Sequence, residues 1–169
     1  PVLQLLTTRN NKNTGEYFYS PVNYDKGVII MKISTKTRYG LRALIHIAEE
    51  TANDEDKLVR IKEISENQKL SVQYLEQILF KLKKSGIIVG KRGPNGGYRL
   101  NKEPKDISIL EVFNILETDI KVVMCDKHNK NCVRTDCRTL YLWEKLDTAL
   151  SKILKETTLA ELMLNGAIV

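Results

Sequence analysis

The chain has 169 residues and carries 27 Lys and Arg against 21 Asp and Glu, a net charge of +6 with an isoelectric point near 9.2. This length suits one ordinary core, or a small domain with an oligomerisation element, and excludes a many-domain enzyme, while the charge favours a polyanionic partner. With no apolar run of about 18 residues and no basic-then-apolar opening, the chain is expected to be soluble and cytoplasmic, with no membrane partner.

Residues 1–30 show neither helical nor alternating periodicity, and NNKNTGE has the composition of a loop. They are expected to be disordered, either as a flexible arm or as translated leader. Lys26-Gly27-Val28 is encodable by a purine-rich ribosome-binding sequence shortly before a start codon at Met31. From Met31 the character changes: Ser34 is a plausible helix cap, and Leu41, Leu44, Ile45 and Ala48 share one face. After the polar loop TANDEDK, a short helix is predicted over 61–68. A longer one follows, capped by Ser71, with Val72, Leu75, Ile78, Leu79 and Leu82 inward and Gly86 as its left-handed stop.

IIVGKRGPNGGYRL then reads as a hairpin, with Ile87 to Val89 going out, Tyr98 to Leu100 returning and a glycine-rich tip. Beyond it Ser108 can cap ILEVFNILE, a cysteine-bearing loop follows, and TLYLWEKLDTALSKILKET resumes helical spacing. In that last stretch Trp143, Leu146, Leu150 and Ile153, flanked by Leu142 and Leu154, make a stripe wide enough to need a partner surface. Thr158 to Glu161 is a capping-box pattern opening a short final helix. The expected fold is mainly α with a small β-hairpin. A winged helix-turn-helix domain is assigned to 31–105, and the cysteine loop with a long C-terminal helix to 106–169.

Between positions 81 and 105 stand Lys81, Lys83, Lys84, Lys91, Arg92, Arg99, Lys102 and Lys105 against the single acid Glu103. Positive charge at a helix end and a loop tip suits phosphate contacts on duplex DNA. On the helix after Ser71, the residues outside the apolar face near its N-terminus are Gln73, Tyr74, Glu76 and Gln77. Their amides can pair with adenine edges, and a carboxylate can accept from the cytosine amino group. Gly93, Pro94, Gly96 and Gly97 make a tip that approaches DNA without side-chain obstruction, with Arg92 and Tyr98 at its base. The candidate DNA-binding set is therefore Ser71, Gln73, Tyr74, Glu76, Gln77, Lys81, Arg92, Gly93, Pro94, Gly96, Gly97 and Tyr98. No phosphate-binding glycine motif, carboxylate pair or nucleophile elbow is visible, so an enzyme is not expected.

Cys125, Cys132 and Cys137 lie within thirteen positions, beside His128. An odd number of cysteines in a reducing compartment argues against a disulfide framework. Three thiolates near Lys127, Lys130 and Arg134 instead make a soft-ligand site for an iron-sulfur cluster or zinc. The spacing C-x2-H-x3-C-x4-C, with His128 included, could wrap tetrahedral zinc. His46, on the first helix, reads as a packing or surface residue.

RGPNGGY together with YLEQILFKLKKSGII, the opening MKISTKTRYGLRAL and the closing TLAELM strongly resemble the Rrf-two family of bacterial winged helix-turn-helix repressors, from Met31 to about Met163. The resemblance implies a homodimer joined by a long crossing helix through Leu142, Trp143, Leu146, Leu150 and Ile153, and a palindromic double-stranded DNA operator. It also implies base or groove contacts from Tyr74, Glu76 and Arg92. The IscR-like branch binds a 2Fe-2S or related iron-sulfur cluster through three cysteines in this loop, whereas cysteine-metabolism repressors of the family lack the trio. The fourth ligand departs from both known patterns: Leu140 stands where that branch has histidine, and Arg38 where a nitric-oxide-sensing branch has an acid. His128, Asp136 or an exogenous molecule remain as candidates.

Overall fold

In the computed structural model the described residues are 33–54, 56–93, 95–117, 121–122 and 137–165. The expected arm or leader, Pro94, and Cys125, His128, Cys132 and Asp136 all lie outside them. The elements run α1 (Thr35–Thr51), α2 (Ile61–Gln68), α3 (Val72–Lys84), β1 (Ile88–Lys91), β2 (Gly97–Leu100), a short 3-10 turn (Pro104–Asp106), α4 (Ile109–Leu116), α5 (Leu140–Glu156) and α6 (Leu159–Asn165). Among the described residues no helix is long and apolar enough to cross a membrane.

Except for α5, whose cap Thr139 makes no side-chain hydrogen bond, the helices begin where the sequence offers an acceptor for a backbone N–H at the helix start. The hydroxyl of Ser34 accepts from Thr37 N at 3.3 Å, that of Ser71 from Tyr74 N at 3.3 Å and that of Ser108 from Glu111 N at 3.2 Å. At α6 the Thr158 hydroxyl accepts from Glu161 N at 3.3 Å. α2 uses the other half of the device: the Glu63 carboxylate accepts the N–H of Arg60 at 3.2 Å. α2 ends on Lys69 with φ at 53°, a left-handed stop without glycine. The N–H of Leu70 then donates to the Ser65 carbonyl at 3.0 Å, closing the turn between α2 and α3.

The core gathers the inward faces of α1, α2 and α3 with parts of the later chain. Leu44 and Ile47 from α1, Ile64 from α2, and Leu75 and Leu79 from α3 are fully buried, as is Leu159 at the start of α6. Val112 and Leu116 bring α4 into the same cluster. Each such side chain contributes about 1.5–3 kcal/mol by leaving water, so the buried face fixes which side of α3 remains outward.

β1 and β2 form a two-stranded antiparallel sheet with Ile88 opposite Leu100 and Lys91 opposite Gly97. The outgoing strand starts one residue later than expected and reaches Lys91, because Gly90 pairs with Tyr98 and prolongs the ladder. Val59 adds a bridge on the far side of β2, exchanging hydrogen bonds of 2.9 Å with Tyr98 in both directions. A second isolated bridge, Ser108 with Thr158, ties the entrance of α4 to that of α6. There Ile109 N donates to Thr157 O, and Leu159 N to Ile107 O, each at 2.9 Å.

Candidate nucleic-acid interface

With Leu75, Ile78, Leu79 and Leu82 turned into the core, α3 presents Gln73, Glu76, Gln77 and Phe80 outward. Those four fall at i, i+3, i+4 and i+7, one face of a helix. Tyr74 lies at the edge of this row and is half-buried. Its hydroxyl is 3.4 Å from Thr35 Oγ1, and its ring meets Tyr39 edge-on with centroids 6.2 Å apart. Tyr74 thus braces α3 against α1, while Arg42 lies 5.7 Å from the Tyr39 ring centre.

The wing is held to α3 by Lys83, whose Nζ donates to the Gly90 carbonyl at 2.8 Å. At the tip Gly96 N donates to Gly93 O at 2.9 Å, and Gly93 adopts φ of 111°, a conformation that L side chains rarely take. Gly97 is required for a different reason: a Cβ there would sit 2.6 Å from the Val59 carbonyl oxygen. Tyr98, in β2, is half-buried against the core. Burial raises its phenol above the ordinary value, the charge of Glu76 adds to that rise and Arg92 opposes it. The Tyr98 phenol thus senses the charges of both sequence-predicted residues, Glu76 and Arg92.

The eight basic residues of 81–105 do not all face the same task. Lys102 pairs with Glu111 at 2.7 Å and Lys83 is engaged with the wing backbone. Lys81, Lys84, Lys91 and Arg92 are exposed along α3 and the wing base. The field of Lys81 also reaches Glu117. Sequence reasoning passed over Phe80, exposed at 68%; its signal was its place at i+7 from Gln73.

Beyond α4, Glu117 and Asp147 anchor the chain around the cysteine stretch. Glu117 accepts the N–H of Ser34 at 2.9 Å. Burial opposes ionisation of Glu117, but hydrogen bonding from Thr37 and Ser34, with the field of Lys81, holds its carboxyl below the usual range. Val122 N donates to Asp147 Oδ1 of α5 at 2.7 Å. Cys137, half-exposed just ahead of α5, has its sulfur 3.1 Å from Thr139 Oγ1. Among the described residues no group of three or more His, Cys, Asp or Glu is gathered for a metal. Of the sequence-predicted ligands only Cys137 is among the described residues.

α5 has two faces. Trp143, Asp147, Leu150 and Leu154 are half-buried, and α5 packs on α4. Leu142, Leu146 and Ile153 stand at 48%, 40% and 61% exposure, and with Ala149 they follow a 4-3-4 spacing. The five stripe residues read from the sequence are thus divided between these two faces.

The family described as "Rrf2: Iron-dependent Transcriptional regulator" matches residues 33–165. The "HTH-type transcriptional regulator IscR" of Vibrio atlanticus is 35% identical over 133 residues, spanning 79% of this chain and 75% of its own. Among solved structures, CymR, the global cysteine regulator of B. subtilis, superposes with a TM-score of 0.66 at 33% identity, covering 80% of this chain and 98% of that one. IscR of T. potens gives 0.65 at 31% identity, covering 83% and 91%. These relatives are transcriptional regulators and not enzymes. The helix-turn-helix, the wing and the span of the match agree: the chain belongs to the Rrf2 family of DNA-binding transcriptional regulators.

Proposed function

We propose that the chain is a homodimeric cytoplasmic repressor that reads a palindromic operator with α3 and the wing, and that an iron-sulfur cluster of 2Fe-2S type on Cys125, Cys132 and Cys137 sets its operator affinity. In this reading residues 31–105 bind DNA, and 106–169 carry the sensing loop and the dimer helix. His128 serves as fourth ligand. The observation that supports the DNA contact is the exposed row Gln73, Glu76 and Gln77 of α3, with the wing tied to that helix by Lys83 at the Gly90 carbonyl (2.8 Å) and Lys81, Lys84, Lys91 and Arg92 exposed along both. The exposed 4-3-4 row of α5 suits the same helix of a second copy.

A bound cluster would supply an oxidant-sensitive centre on the loop. The chain's own residues couple that loop to the DNA-reading part: Asp147 holds Val122 to the dimer helix, Cys137 leads directly into that helix, and Glu117 ties the end of α4 to the cap of α1. A change in the loop would then alter the spacing or angle of two recognition helices. Likeness to regulators named IscR favours this reading.

A second reading has specific support. Leu140 opens α5 as an apolar residue, and the likeness to a cysteine regulator is as strong as that to IscR. Zinc on Cys125, His128, Cys132 and Cys137, or a metal-free thiol switch, satisfies both facts. Anaerobic purification with metal analysis separates the two: iron, acid-labile sulfide and visible absorbance support the cluster, whereas a colourless protein with stoichiometric zinc or no metal supports the alternative.

A further inference from the structure

Phe80 stands on α3 with 68% of its surface exposed. Among the described residues the other large exposed apolar side chains are Ile33, Leu164 and four on α5, so α3 and the wing expose this one alone. Its neighbours on that side, Gln73, Glu76, Gln77 and Lys84, are polar or charged and solvated. A phenyl ring left in water there adds nothing to the core, whose share of α3 is filled by Leu75, Ile78, Leu79 and Leu82.

We propose that Phe80 is a specificity determinant that reads a thymine methyl group in the major groove of the operator, an inference that rests on the operator-binding reading above. Gln73, Glu76, Gln77 and Phe80 fall at i, i+3, i+4 and i+7, the spacing with which a recognition helix lines up its base contacts. Phe80 has neither donor nor acceptor. Of the features that base edges show in the major groove, the thymine C5-methyl is the one such a ring can favour. At a rise of about 1.5 Å per residue, Phe80 lies roughly 10 Å along the helix from Gln73. With base pairs stacked about 3.4 Å apart, the thymine sits about three steps from the base that Gln73 contacts.

The test selects bound sites from a randomised duplex pool with the full chain and with Phe80→Ala. Each thymine of the selected operator is then replaced singly by deoxyuridine, which removes only the methyl group. The expected result is one thymine per half-site whose replacement weakens the parent protein about 4-fold, the equivalent of one buried methyl group, and leaves Phe80→Ala unaffected. Phe80→Leu, still apolar, should retain the preference. Equal uridine effects in parent and Phe80→Ala, or an unchanged selected site with unchanged affinity, would overturn the assignment while leaving operator binding intact. Failure of the parent protein to retain any duplex would overturn the operator-binding reading and this inference with it.

Discussion

Glu117, the residue that ends α4, accepts the backbone N–H of Ser34, the cap of α1, at 2.9 Å across 83 positions of sequence. This hydrogen bond joins the end of α4, ahead of the cysteine stretch, to the start of α1. Because hydrogen bonding and Lys81 outweigh burial, the Glu117 carboxyl titrates below its unfolded value. Its stabilisation is complete above the unfolded carboxylate pKa, about 4.3, and is lost as pH falls through the lower folded value. Glu117→Gln should cost about 1 kcal/mol at neutral pH after allowance for its partial exposure. The difference from the parent should shrink in acid. Urea unfolding at neutral pH and in acid checks this; a penalty independent of pH would show that the charge plays no part.

The wing charges are predicted to separate by role. Arg92→Ala should weaken operator binding and, where the guanidinium meets a DNA phosphate, lower the salt slope by about 0.9 per phosphate no longer neutralised. Lys102→Ala should change affinity little, since Lys102 is paired with Glu111 at 2.7 Å. Fluorescence anisotropy across a salt series measures both, and equal losses in the two variants would contradict the division.

The two faces of α5 make a matched pair of predictions. Leu146→Glu, on the exposed row, should leave stability within about 0.5 kcal/mol when measured at concentrations where the parent is also monomeric. It should shift the sedimenting species from two copies to one. Leu154→Glu, half-buried, should instead lower the unfolding midpoint. A dimer that survives Leu146→Glu would place the interface elsewhere.

Gly97→Ala should destabilise the wing by about 1–3 kcal/mol, because the new Cβ would press on the Val59 carbonyl at 2.6 Å. Hydrogen exchange at Tyr98 N, which donates to Val59 O, should report the opening before global unfolding. Unchanged protection there would argue that the bridge is readily remodelled.

Local structure was legible wherever a short-range signal sets it. Ser34, Ser71 and Ser108 announced their helices, and the glycine-rich tip announced the wing, because caps and turns depend on residues three or four apart. The stop at Lys69 was hidden because a left-handed non-glycine residue has no such mark. The bridges Val59 with Tyr98 and Ser108 with Thr158 were hidden because pairing over 39 and 50 positions leaves no periodicity to read. On α5 the apolar pattern was visible, but periodicity cannot say which part faces the chain's own domain; exposure divides Leu142, Leu146 and Ile153 from Trp143 and Leu150. On α3, spacing pointed to Gln73, Glu76 and Gln77 as the exposed row, whereas the bracing of Tyr74 against Thr35 needed the packing of α1.

The coupling between the cysteine loop and DNA binding is tested most directly by operator affinity under anaerobic conditions. Protein reconstituted with iron and sulfide is compared with chelator-stripped protein, and both with Cys132→Ala. Affinity should differ by at least about 10-fold between the first two, equivalent to a coupling of about 1.4 kcal/mol, and the difference should vanish in Cys132→Ala. The same affinity in all three forms would contradict a sensor at Cys125, Cys132 and Cys137.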